Sequence, residues 1–135
     1  MGAFEARWRG ILRQATRSTR VGVVDGELVG FASVGTSRDA DAVPPRTGEL
    51  YALYLDPRFW GRGMGCALWN AALQVLLADE FTEVTLWVLE ANARGRDFYE
   101  RVGFQLDEGA VKVLEREGAE LPEVRYRMPL APGGT

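Results

Sequence analysis

The stretch from Gly48 to Gly65, GELYALYLDPRFWGRGMG, constrains the fold of this chain more than any other. Leu50 to Leu55 is apolar and aromatic and reads as a strand, Asp56-Pro57 breaks it, and Gly61, Gly63 and Gly65 alternate just before a segment of helical periodicity. The apolar positions Leu68, Ala72, Val75 and Leu76 predict a helix that lies on a sheet, and Thr82 to Glu90 reads as the buried strand after it. Strand, crossing helix and parallel strand make a right-handed βαβ unit. A helix starting near Gly63 points unpaired N–H groups and its positive dipole end into the loop, where residues without Cβ let a ligand come close. A pyrophosphate suits such a cradle; the alternative is a tight strand-to-helix turn with no ligand. No Lys followed by Ser or Thr comes after Gly65, so the loop is not a Walker A motif. Its G-x-G-x-G spacing also departs from the G-x-G-x-x-G of dinucleotide folds.

A second segment, LWVLEANARGRDFYERVGF from Leu86 to Phe104, joins the first. Together they resemble motifs A and B of the GNAT superfamily of N-acetyltransferases, across roughly half the chain. Trp60-Gly61-Arg62-Gly63-Met64-Gly65 stands in the register of Gln/Arg-x-x-Gly-x-Gly/Ala. Asn92, Gly95, Phe98, Tyr99, Gly103 and Phe104 stand in that of Asn-x-x-Ala-x-x-Phe-Tyr-x-x-x-Gly-Phe. Two departures are plain: Trp60 replaces the Gln or Arg, and Gly95 replaces the Ala.

The resemblance implies a mixed α/β fold in three layers: a central, mostly antiparallel sheet with one splayed parallel strand pair and helices on both faces, short at its N-terminus. It implies acetyl-CoA as co-substrate, with no metal. The strand before the loop is expected to bulge, to part from its parallel neighbour, and to offer the backbone of Leu53, Tyr54 and Leu55 to the pantetheine arm, as in strand addition. Trp60, Gly61, Arg62, Gly63, Met64, Gly65 and Cys66 would hold the pyrophosphate, mainly through backbone amides, and Asn92 would hydrogen-bond the cofactor or cap its helix. An N–H near Leu53 would polarise the thioester carbonyl. Tyr99 matches the family's proton donor to the departing sulfur; the alternative is a packing aromatic beside Phe98. Glu49, four residues before Leu53 and expected on the same strand face, is the candidate base, against a plain solvated carboxylate. Tyr51 and Tyr54 are expected on opposite faces of that strand. Cys66, at a helix start, is either a reactive thiol or a packed one. The implied reaction is acetyl transfer to a primary amine by direct attack in a ternary complex; the alternative is a non-catalytic acyl-CoA-binding module.

Composition narrows the chemistry further. The 135 residues suit one domain, residues 1–135, and the formal charge of −3 gives no basic footprint for nucleic acid or an anionic membrane. With no His and one Cys, neither an ordinary zinc site nor a His-based triad can be built, so proton transfer falls to Asp, Glu, Tyr or Lys. No apolar run is long enough to span a membrane, and a cytoplasmic location is expected. Phe4, Trp8, Ile11, Leu12 and Ala15 predict an amphipathic helix over 3–17. Val21 to Val24 and Glu27 to Val34 read as strands joined by an Asp25-Gly26 hairpin turn. Residues 93–102 read as a helix capped by Asn92 and stopped at Gly103, and two further strands follow it, the clearer being Glu123 to Pro129. Residues 35–48, a long polar loop with Arg38, Asp39 and Asp41, border the acceptor pocket in the resemblance. Family members usually begin with an extra strand and helix, so either this is a short member or a second copy completes the acceptor side, in a homodimer.

Overall fold

The computed structural model describes residues 13–16, 18–42 and 46–130. Among these residues seven strands form one sheet: β1 (Arg13–Thr16), β2 (Thr19–Val24), β3 (Glu27–Thr36), β4 (Thr47–Leu55), β5 (Glu83–Leu89), β6 (Gln105–Arg116) and β7 (Ala119–Pro129). Their order across the sheet is β1-β2-β3-β4-β5-β7-β6, antiparallel throughout except for the parallel pair β4 and β5. Helix α1 (Met64–Ala78) crosses between that pair, and α2 (Ala93–Val102) connects β5 to β6. The local punctuation is as expected. Asp25 and Gly26 both take positive φ, 51° and 82°, as a type I′ hairpin turn requires. Asn92 accepts the Gly95 N–H to cap α2, and Gly103 ends that helix in the left-handed region.

At the front, Arg13 to Thr16 are strand rather than the end of a helix, pairing Arg13 with Val21 and Thr16 with Thr19. The ladder along β2 supplies backbone hydrogen bonds that override a weak helical period. The rest of the expected helix, residues 3–12 with Phe4, Trp8, Ile11 and Leu12, lies outside the described residues.

Both described helices lie on one face of the sheet. Leu76 of α1 sits over Gly48, which pairs with Val84, and Arg96 of α2 reaches the Tyr126 hydroxyl opposite Leu86. That face carries the apolar core, including Val34, Leu50, Leu68, Leu76, Val84, Leu86 and Phe104, each buried aliphatic side chain contributing about 1.5–3 kcal/mol. The opposite face carries Glu49, Tyr51, Thr85, Trp87, Arg125 and Arg127, and no described helix covers it. Among the described residues helices lie on one face alone, where the resemblance implied helices on both.

Two irregularities mark β4. Pairing with β5 covers Thr47–Glu49 against Glu83–Thr85 and then stops, so β4 runs on from Leu50 to Leu55 with β3 as its only ladder partner. In addition, Val34 pairs with Leu50 but Ser33 pairs with Ala52, which leaves Tyr51 as an extra residue in a bulge. One extra residue reverses the alternation beyond it. Glu49 and Leu53 therefore face opposite sides, correcting the expectation that they share one: Leu53 pairs with Ala32 of the core face, and Glu49 with Gly35. By the same shift Tyr51 and Tyr54 lie on one face, not on two. The Tyr51 hydroxyl approaches Gly35 and donates to the Thr36 carbonyl, and Tyr54 stands beside Phe31.

Candidate active site

A groove of about 460 Å³ opens where β4 leaves β5, between the end of β4, the start of α1 and α2. Leu53, Tyr54 and Leu55 form one wall and Trp60, Gly61, Gly63, Gly65 and Cys66 form the floor. Asn92, Gly95, Phe98 and Tyr99 close the other side. The two motifs, distant in sequence, thus share one cavity. Gly61 and Gly63 take φ of 76° and 81°, which swing the loop under the helix start; a side chain in those conformations would be strained. Gly63 is the N-cap of α1 and no side chain caps the helix, so the first amides of α1 retain donor capacity at the groove. An anion is the natural partner for that end.

Not every expected residue reaches the groove. The Met64 side chain is wholly buried in the core, leaving its backbone N–H as the group it can offer. Arg62 is exposed, with its guanidinium over the Phe59 ring, and does not line the cavity. Trp60 has a use that its type did not disclose: its indole N–H donates to the Leu55 carbonyl at 2.9 Å and Arg94 stacks on its ring, 4.1 Å from the centroid. The freed end of β4 is thereby pinned to the loop, and the Leu55 carbonyl is already engaged. Gly95 also has a local reason, since a Cβ there would meet the capping amide of Asn92 at 2.5 Å.

Tyr99 packs edge-on against Phe98 and Phe104, with ring centroids 5.5 and 5.8 Å away. Burial pushes its phenol above the ordinary value, so it stays protonated at neutral pH. Two cations that sequence reading passed over, Arg94 and Arg101, line the groove. Their signal was present, two and nine residues after Asn92, but arginines on a short helix usually mark a solvated face. Cys66 is exposed on the groove floor.

Glu49 is not part of this groove. It is buried on the other face, 3% exposed, and held by one residue: its Oε1 accepts from the Arg38 N–H at 2.9 Å, and its Oε2 from Arg38 Nη2 at 3.0 Å. The loop carrying Arg38 is latched to the sheet. Arg125, 8% exposed, donates to Asp39, to both oxygens of Asp41 and to Asp107, while the Trp87 indole N–H donates to Asp39. Asp107 reaches Arg125 because β6 makes a wide bulge between Leu106 and Val111. Hydrogen bonds from Arg125 hold the Asp41 carboxyl below the ordinary carboxylate range. For Asp107, burial pushes upward, but hydrogen bonds from Arg127 and Arg125 outweigh it and the net direction is down. Among the described residues no cluster of His, Cys, Asp and Glu could hold a metal ion, and no helix is long and apolar enough to cross a membrane.

Comparison with known proteins shows where this chain has relatives. A family model described as the acetyltransferase (GNAT) family matches residues 2–104. An uncharacterized N-acetyltransferase of Methanocaldococcus jannaschii is 30% identical over 116 residues, covering 82% of this chain and 51% of its own length. A mycothiol acetyltransferase of Beutenbergia cavernae is 50% identical over 58 residues, covering 43% of this chain and 20% of that protein. The chain thus spans about half the length of the first relative and a fifth of the second. Among solved structures, a Salmonella typhimurium protein with its cofactor acetyl-CoA superposes with a TM-score of 0.72 at 20% identity, covering 98% of this chain and 72% of that one, a likeness of fold. With the family model covering most of the sequence and both of its motifs meeting in one groove, the chain belongs to the acetyltransferase (GNAT) family.

Proposed function

We propose that this chain is an N-acetyltransferase that moves an acetyl group from acetyl-CoA to a primary amine within a ternary complex. One observation carries the reading: the stretch of β4 that has no β5 partner runs directly into the uncapped start of α1, and both open onto the groove that holds Tyr99. An amide-rich arm that ends in a pyrophosphate fits such a surface, with strand-like hydrogen bonding at Leu53 and Tyr54 and loop amides from Gly61 to Cys66 at the anion. Arg94 and Arg101 add positive charge along its path, and Asn92 is within the same wall. The cofactor supplies the activated thioester; the rest of the chemistry belongs to the chain.

Tyr99 keeps its proton at neutral pH and stands in the wall of the groove, where its hydroxyl can donate to a thiolate of ordinary pKa about 8.5. At neutral pH a primary alkyl amine is an ammonium and must give up a proton before it has a lone pair to attack with. Glu49 is the acceptor of that proton in this reading. It lies on the far side of the splay, so the amine enters from the face of Trp87 and Arg125 and meets the thioester through the gap between β4 and β5. The bulge at Tyr51 gives this two-sided arrangement its physical sense: it puts the base on one face and the Leu53 wall on the other. The amine acceptor, a cytoplasmic location and a homodimer belong to the same proposal.

The test is a calorimetric titration of the purified chain with acetyl-CoA, followed by a panel of amines while free thiol is measured. Micromolar binding with thiol release for at least one amine class is the expected result. Binding without release across the panel would favour a non-catalytic acyl-CoA-binding module, and no binding would refute the cradle.

A further inference from the structure

Strand β6 ends the sheet, and among the described residues nothing pairs with its outer edge. Such an edge is a template for another strand, and proteins guard it with lysine, proline, a bulge or a cover. Over residues 111–114 those guards are missing or turned elsewhere. The bulge lies earlier, between Leu106 and Val111, and the segment has no proline. Lys112 is the only lysine of the sequence, yet its ammonium turns inward over the ring of Trp87 on β5, 4.3 Å from the centroid. What remains at the edge is apolar: Val111 and Val113 are 60% and 55% exposed. They lie on the helix-bearing face, since Val111 pairs with the buried Val124, but no described element covers them.

The hairpin fixes which backbone groups face outward. Glu117 and Gly118, at φ of 53° and 79°, form the turn, so Arg116 and Ala119 are the hydrogen-bonded rung that closes it. Hydrogen-bonded and open rungs alternate in an antiparallel pair. Arg116, Leu114 and Lys112 therefore turn their N–H and C=O groups to β7, while Glu115, Val113 and Val111 turn theirs away from it. The far side of β7 agrees: the Pro122 carbonyl, on the rung of Val113, accepts from the Glu90 N–H rather than facing β6. A row of outward backbone donors and acceptors thus runs beside the exposed valines.

We propose that this edge is a homodimer interface, in which β6 of a second copy pairs antiparallel about a twofold axis at Val113. That register sets Val113 against Val113 and Val111 against Glu115, matching outward groups with outward groups for about six hydrogen bonds. The other symmetric registers are worse. An axis at Lys112 opposes the two lysines, one at Leu114 opposes Lys112 with Arg116, and one at Glu115 opposes two glutamates. An axis at Val111 runs into the bulge. Centring on Val113 instead brings the valines of both copies onto one apolar strip and sets Lys112 across from Leu114. It also brings the second copy's Arg116 beside Ala110, in the wall of the amine-side cavity that holds Asp41, Trp87 and Glu108. The inference names a surface for the homodimer in the acetyltransferase reading and needs no acetyl transfer to stand.

The experiment is the solution mass of the full chain, by light scattering over micromolar to submillimolar concentrations, for the wild type, Val113→Pro, Val113→Lys and Val113→Glu. The wild type is expected at twice the chain mass. Val113→Pro removes an N–H that β7 does not use, so it should halve the mass while circular dichroism and acetyl-CoA affinity stay unchanged. Val113→Lys and Val113→Glu each set like charges opposite one another at the axis; each should be a monomer alone, and their mixture a dimer. A monomeric wild type, a dimer that all three variants keep, or a Lys and Glu mixture that stays monomeric would overturn the interface. Should Val113→Pro disturb the circular dichroism, the Lys and Glu chains decide the matter without it. Acetyl transfer by a monomeric wild type would count against this inference alone, and a dimer without transfer against the acetyltransferase reading alone.

Discussion

Arg125 is the residue whose removal should reveal how the loop carrying Arg38 is held, and Arg125→Leu is the perturbation. Deleting one partner of a buried ion pair costs about 3–5 kcal/mol, chiefly because the remaining charge is stranded. The three carboxylates around Arg125 do not suffer equally. Asp41 is 64% exposed and rehydrates. Asp107 keeps Arg127, with Nε at 3.1 Å and Nη2 at 2.8 Å. Among the described residues the Asp39 carboxylate, 13% exposed, retains only the Trp87 indole N–H. The loss should therefore fall at the low end, about 3 kcal/mol, or about 10 °C in melting temperature for a domain of this size. The pH dependence follows from the same pairs. Asp41 and Asp107 are held below their unfolded value, so their stabilisation is present above about pH 4, the ordinary Asp range, and is lost as the pH falls through their lower folded values. In Arg125→Leu the Asp41 part of that acid loss should vanish and the Asp107 part shrink to what Arg127 sustains, so stability should depend less on pH across this range. Urea unfolding between pH 3 and 7, on the order of ten points across the Asp range, measures both effects. Adding Asp39→Asn to the variant should recover part of the loss by removing the stranded charge. A loss under about 1 kcal/mol, the scale of an exposed pair, or an Asp39→Asn effect that is simply additive, would refute the latch. Because Arg38 lies on the same loop as Asp39, the KM for the amine should rise while acetyl-CoA affinity stays.

Tyr99→Phe keeps the packing on Phe98 and Phe104 and removes only the hydroxyl, so kcat should fall by about 10²–10⁴ with acetyl-CoA affinity and melting temperature nearly unchanged; calorimetry beside a thiol-release assay would show it, and a drop in affinity alone would argue for a packing role. Glu49→Gln keeps the shape of the Arg38 site but removes the proposed base, and should abolish the acidic limb of the pH–rate profile; a limb that persists excludes Glu49. Gly95→Ala, a change that elsewhere in a helix stabilises by about 1 kcal/mol, should here yield no gain, because the new Cβ displaces the Asn92 cap, itself worth about 1 kcal/mol; thermal melts decide it. Trp60→Phe removes the tie to the Leu55 carbonyl and should weaken acetyl-CoA binding severalfold, about the loss of one neutral hydrogen bond, measured by titration.

Much of the site was legible in the chain because its signals are local. A left-handed glycine, an Asx cap, a Gly stop or an Asp-Gly hairpin turn acts within a few residues, so Gly61, Gly63, Asn92, Gly103 and Asp25-Gly26 could be read where they stand. The expected helix over 3–17 shows the limit of periodicity: at Arg13–Thr16 the choice went to a strand because an edge of the sheet was available to pair with.

By itself the sequence determined the order of strand, glycine loop, helix and strand, the exclusion of His and metal-thiolate chemistry, and the residue types that could meet a phosphate or move a proton. Tertiary structure decided which of them meet. Glu49 and Leu53 share the parity of one strand face in sequence, yet the bulge at Tyr51 sends them to opposite sides. The carboxylates of Asp39, Asp41 and Asp107 look like solvated charge until Arg125, on another strand, gathers them. Trp60 looks like a lost donor until its indole finds the Leu55 carbonyl. A bulge is a mismatch of register between two strands, and a buried ion pair joins segments distant in sequence. Neither exists in any single stretch of chain, so only packing of the whole sheet could fix them.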